Sequence, residues 1–128
     1  MYIRFVVQKK HHSSQKRLGV FHAIRYLRDD KLLTPTELKI EKEIMDWFGK
    51  NLEVPKRFAK SKNKMPIKKA ISWFRDTAIE HIQKMEDLTV ILKAHNIPIE
   101  ILETSRPGYI VYEDEFQVTA EPFKETVA

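Results

Sequence analysis

Cations are the residues whose type and spacing could do chemistry. Lys56, Arg57, Lys60, Lys62, Lys64, Lys68 and Lys69 place seven positive charges in residues 56–69, with no acid among them. Phe58 interrupts the run and Trp73 lies just beyond it. Ammonium and guanidinium groups on long stems hold phosphates, and exposed aromatic faces stack unpaired bases. Lys9, Lys10, Lys16 and Arg17 form a second basic group. If the fold brings the two segments together, they make a groove for an anionic partner, first of all nucleic acid. The plainer reading is a solvated lysine-rich loop that Phe58 anchors to the core. None of the standard modules is present: there is no RRM signature, no GXXG loop and no finger spacing.

The histidines and carboxylates offer less. His81 sits inside an apolar helical stripe, where an imidazole could act as a switch under acid. It could also do acid–base work with Glu80 or Arg75, although stripe positions usually belong to the core. His11-His12-Ser13-Ser14 could face a metal or a phosphate, but adjacent histidines chelate one ion poorly. Glu113-Asp114-Glu115 could grip a cation or a neighbour's Lys/Arg, and a polar hairpin tip needs no such role. Asp76 and Glu80 share a helix face without a third ligand. No metal and no cofactor are expected. A small hydrolase or nuclease built on His11, His12 or His81 is therefore the third reading, and the sequence leans away from an enzyme. The second reading is a protein–protein or regulatory module. It would bind a protein partner or a second copy of itself, as a homodimer, through a long helix over 67–95 and the acidic hairpin 113–115.

Charge divides along the chain. Residues 1–75 carry 19 Lys/Arg and 7 Asp/Glu, a net of +12, while residues 76–128 carry 4 and 11, a net of −7; together they give the overall +5. A basic surface suits an anionic partner, and an acidic one can shield it or pair with it. At 128 residues with 42% hydrophobic and 32% charged content, one domain is expected. The absence of Cys excludes disulfides, thiolate nucleophiles and cysteine-ligated zinc. No apolar stretch approaches a membrane span, and no partnership with a membrane is expected. A cytoplasmic protein is the resulting expectation.

The elements that would position these groups follow from periodicity. Tyr2–Val7 alternates with both faces largely apolar, which predicts a central strand. Gln8–Lys16 reads as a loop, and Arg17–Arg28 as a helix burying Val20, Phe21, Ile24 and Leu27. Thr34-Pro35-Thr36-Glu37 is a capping box with Pro at the first helical position, flanked by the hydrophobic staple Leu33/Leu38. It opens a helix to about Phe48, with Gly49 as its stop. Lys50–Pro66 reads as a long loop. Ile67–His95 contains no Gly or Pro and reads as one helix, about 43 Å long at the α-helical rise. Ile99–Glu103, Tyr109–Tyr112 and Phe116–Ala120 read as strands, with a turn over Ser105–Gly108.

The order β-α-α-α-β-β-β predicts an α+β fold. Its small, mostly antiparallel sheet would carry three helices on one face, the third of them long. The three C-terminal strands would form a meander joined to the N-terminal strand. Residues 1–120 would be the domain and 121–128 a loose tail.

Overall fold

The computed structural model describes residues 1–10, 17–55 and 70–128. It is an α+β fold in which β1 (Tyr2–Lys10) runs through the middle of an antiparallel sheet. One edge of β1 pairs along its length with β4 (Glu100–Thr104), from Tyr2↔Thr104 to Val6↔Glu100. Its other edge is shared. The first residues pair with β3 (Ile71–Arg75) at Tyr2↔Arg75 and Ile3↔Phe74. The later residues pair with the short β2 (Arg17–Gly19) at Val6↔Gly19 and Lys10↔Arg17. The sheet therefore forks, with Arg4 and Phe5 between the two branches. Beyond β3 lie β6 (Gln117–Glu121) and then β5 (Tyr109–Glu113).

Alternation along β1 sorts the core into two layers. Ile3, Phe5 and Val7 face the helices with Phe74 of β3. There they meet Val20, Ile24 and Leu27 of α1 (Val20–Asp29), Ile44 and Phe48 of α2 (Pro35–Asn51), and Met85, Leu88 and Leu92 of α3 (Ile79–Ala94). All three helices thus cover one face, as expected. Tyr2 and Val6 face the other way, with Trp73, Leu102, Val118 and Ala128. Burying one aliphatic or aromatic side chain of this size contributes about 1.5–3 kcal/mol.

The capping box at the start of α2 forms fully. Glu37 N–H donates to Thr34 Oγ1 at 3.2 Å, and Thr34 N–H donates to Glu37 Oε1 at 2.9 Å. His95, the C-cap of α3, also donates from Nε2 to Glu37 Oε1 at 2.8 Å. The cap thereby ties the start of α2 to the end of α3.

Several expectations change. The third helix does not run over 67–95: Ile71–Arg75 is a strand, and α3 begins at Ile79. Ile71, Phe74 and Ala78 fit a helical period, yet Ile-Ser-Trp-Phe also alternates, and the slot between β1 and β6 decides in favour of the strand. Arg17–Gly19 is a strand rather than the first turn of α1, and Gly49 lies inside α2, which continues to Asn51. Lys9 and Lys10 belong to β1 rather than to a loop.

The C-terminal strands make no meander, because β4 pairs with β1 while β5 pairs with β6. The short connection 105–108 thus joins the two outer strands. Four strand spacings of about 4.8 Å would hold flat edges roughly 19 Å apart, more than this turn can bridge, so the sheet curls. Gly108 sits at the tightest point, with φ +138°, and a Cβ there would lie 2.0 Å from the Glu121 carbonyl oxygen.

Residues 121–128, expected as a loose tail, lie against the curled face. Ala128 packs with Val6 and Trp73, and its carbonyl accepts from Arg17 N–H at 3.2 Å. Phe123 N–H donates to Thr126 Oγ1 at 3.0 Å, and the Arg106 guanidinium stands 5.2 Å over the Phe123 ring.

Candidate anion-binding cleft

The fork between β2 and β3 opens into a cleft of about 690 Å³. Its position follows from the sheet. Where β1 has neither branch beside it, α1 and the end of α2 form the walls instead. Arg4, Arg17, Arg25 and His22 line it, and Glu53 is the one acid among the described residues that line it. Phe21, Met45 and Phe48 supply an apolar wall, and Phe21 meets Phe48 edge to face with centroids 5.0 Å apart.

Arg4 is the unusual member. Alternation along β1 sends it to the same face as Tyr2 and Val6, into a largely buried position. One Nη2 hydrogen bond goes to the Arg17 carbonyl. Nη1 is buried and has no hydrogen-bond partner among the described residues. Burial, and then the like charge of Arg17, push the guanidinium down from its ordinary value to about 10, so it remains charged at neutral pH. Arg17 itself pairs with Glu100 of β4. A buried cation with an unused donor is costly unless an anion answers it.

The rim of this cleft coincides with the roots of both basic segments. Arg17 follows residues 11–16, and Pro55 and Ala70 flank residues 56–69; all three line the cleft. Lys16, Lys56, Arg57, Phe58, Lys60, Lys62, Lys64, Lys68 and Lys69 lie outside the described residues, as do His11 and His12. Of the remaining predicted cations, Lys10 lies opposite Arg17 across β1 and β2, and Lys9 stands 5.8 Å over the exposed Tyr26 ring. The sequence reading missed Arg4, His22 and Arg25. The one available signal was a charged residue set into the apolar alternation of a central strand.

His81 stands elsewhere, 4% exposed. Its Nε2 is 2.7 Å from the Asn51 carbonyl, which can only accept, so Nε2 carries the proton. The ring stacks on Phe116 at 4.3 Å and meets Trp47 edge-on at 4.8 Å. Glu80 is exposed, and Asp76 is engaged by the N-terminal ammonium at 3.3 Å. Among the described residues, no group of three or more His, Asp or Glu could hold a metal ion.

The acidic hairpin is organised by its own turn. Asp114 Oδ1 accepts from the Phe116 and Gln117 backbone N–H groups at 2.9 and 3.0 Å. Oδ2 accepts from Tyr112 Oη at 2.8 Å and Gln117 Nε2 at 3.0 Å. Burial would raise the Asp114 carboxyl, but these donors outweigh it and hold it below its ordinary 3.8. Glu113 pairs with Arg75 at 3.0 Å. Gln117 Nε2 also donates to the Glu53 carbonyl at 2.6 Å, which links the hairpin to the cleft wall.

No protein-family model matches this chain, and no curated protein or solved structure shows significant similarity to it. Among the described residues, no helix is long and apolar enough to cross a membrane.

Proposed function

We propose that this protein is a non-enzymatic binding protein for an anionic partner, nucleic acid, held through the cleft and the two basic segments 9–17 and 56–69. The observation that carries the reading is spatial. Residues that border both basic segments line one cleft, and Arg4, Arg17 and Arg25 line it with Glu53 as the one acid among the described lining residues. Arg4, Arg17 and Arg25, from β1, β2 and α1, thus meet at one opening, which supports a reading in which several phosphates are contacted.

Self-association through the long helix or the acidic hairpin is the second reading, and the observations on those two elements favour it less. The apolar stripe of α3, including Met85, Leu88 and Leu92, is buried in its own chain. Asp114 and Glu113 are engaged within the hairpin and by Arg75. The hydrolase reading has in His81 a buried ring boxed by aromatics, with no carboxylate bonded to it among the described residues. The cytoplasm is the proposed compartment, on the cysteine-free composition alone.

The test is binding of a labelled oligonucleotide across a salt series. About six phosphate contacts predict a loss of affinity on the order of a thousandfold between 50 and 200 mM salt. Absence of binding at 50 mM salt would sink the proposal.

A further inference from the structure

We infer that the cleft takes a single unpaired nucleotide, its phosphate seated against Arg4 and Arg17 and its base against Phe21 and Met45, so that the protein selects single-stranded over duplex nucleic acid. This inference rests on the nucleic-acid reading above and adds the form of the partner.

Three observations carry it. The first is chemical. Arg4 Nη1 is a buried donor without a partner among the described residues, beside a second guanidinium that already has its carboxylate. A phosphate oxygen is the acceptor that answers two neighbouring guanidinium groups, because its charge and tetrahedral oxygens match their forked donors. The second is the pairing of surfaces. The cationic end of the cleft continues into a wall of Phe21, Met45 and Phe48, of which Phe21 and Met45 are partly exposed. A nucleotide within a strand carries an anionic phosphodiester with two free oxygens at one end and a flat, apolar-faced base at the other. Stacking on a side-chain wall contributes about 1–3 kcal/mol per base.

The third is size. About 690 Å³ falls in the range of roughly 300–1,000 Å³ typical of small-molecule sites, so it admits a nucleotide. A duplex is far too wide to enter, and its base faces are already stacked on one another. An unpaired strand offers base face and phosphate at once. Arg25 and His22, three residues apart on α1 and both exposed, stand where the neighbouring phosphates would leave the cleft.

The experiment is fluorescence anisotropy on the full chain with a 5′-labelled 12-nucleotide oligo(dT), and with a blunt 12-base-pair duplex carrying the same label, at 50 and 100 mM salt. The single strand is expected to bind at least tenfold more tightly. Arg4→Met and Arg25→Ala are each expected to weaken it at least fivefold while changing duplex affinity less than twofold. Circular dichroism checks each variant's fold. If Arg4→Met does not fold, Arg25→Ala and His22→Ala, both at exposed positions, carry the comparison. Equal affinity for the two forms, or variants that leave single-strand binding unchanged or weaken both forms alike, would overturn the inference and leave the nucleic-acid reading standing. No binding of either form at 50 mM salt would remove that reading itself.

Discussion

Arg4→Met is expected to leave the protein as stable as before, or more stable, while weakening single-strand binding at least fivefold. The guanidinium is pushed down from its ordinary value to about 10, mainly by burial and further by Arg17. At 1.36 kcal/mol per tenfold change in acidity, its charged form carries a cost of about 3 kcal/mol. That cost is fully present below the folded value of about 10 and is relieved only as pH climbs from there toward the ordinary arginine value, so unfolding at pH 7 reads all of it. Methionine has a similar length and no charge. It forfeits the hydrogen bond to the Arg17 carbonyl, worth about 1.5–3 kcal/mol for a charged donor. The difference predicts a change between zero and a gain of about 1.5 kcal/mol. A buried arginine with good partners would instead lose about 3–5 kcal/mol. Urea denaturation at pH 7 measures the change directly, and in a thermal scan the gain corresponds to a rise of up to roughly 5 °C. A loss of 3 kcal/mol or more would refute the reasoning, because it would mean that Arg4 is already answered inside the fold.

Three further outcomes are expected. Gly108→Ala should cost about 3 kcal/mol or more, because it combines a positive φ with a Cβ set 2.0 Å from the Glu121 carbonyl oxygen; a change in urea midpoint equivalent to less than 1 kcal/mol would contradict the tight approach. Thr34→Ala should cost about 1 kcal/mol by removing the acceptor for Glu37 N–H, measured in the same way. Acid should destabilise the protein below about pH 4.5. Glu37 is held below its ordinary 4.5 by the Thr34 backbone and then by His95, and Asp114 lies below 3.8. Both contributions are complete above the unfolded values and vanish as pH falls through the lower folded ones. Melting temperatures from pH 6 to 2.5 should fall in that window, and Asp114→Ala should cost about 2–4 kcal/mol at pH 7 and flatten the fall.

What the sequence made legible was mostly local. The capping box at Thr34 needed only four residues and was readable with its geometry. The central place of Tyr2–Val7 was readable because both of its faces are apolar, and the short turns around residues 105–108 and 113–115 were readable from their own residue types. Ile71–Arg75 was misread because nothing between it and Ile79 punctuates the chain, and its conformation is set by β1 and β6, which are distant in sequence. The split of β4 from β5 has the same origin, since strand pairing is non-local. The cleft drew on both kinds of signal. Arg17 announced itself as charge. Arg4, His22 and Arg25 acquire a common purpose only when a forked sheet and α1 bring them to one opening. The acidic hairpin looked like a docking surface because a carboxylate's internal hydrogen bonds leave no mark in the sequence.

The central claim is that the anionic partner occupies the fork of the sheet. The most direct measurement is an amide chemical-shift map of the isotope-labelled protein titrated with oligo(dT) at low salt. The account predicts that the largest shifts among the described residues fall on Gly19, His22, Arg25, Ala70 and Ser72 around the cleft, with the 113–115 hairpin and the exposed face of α3 unmoved. Shifts concentrated on the hairpin or on α3, with the cleft residues silent, would contradict it.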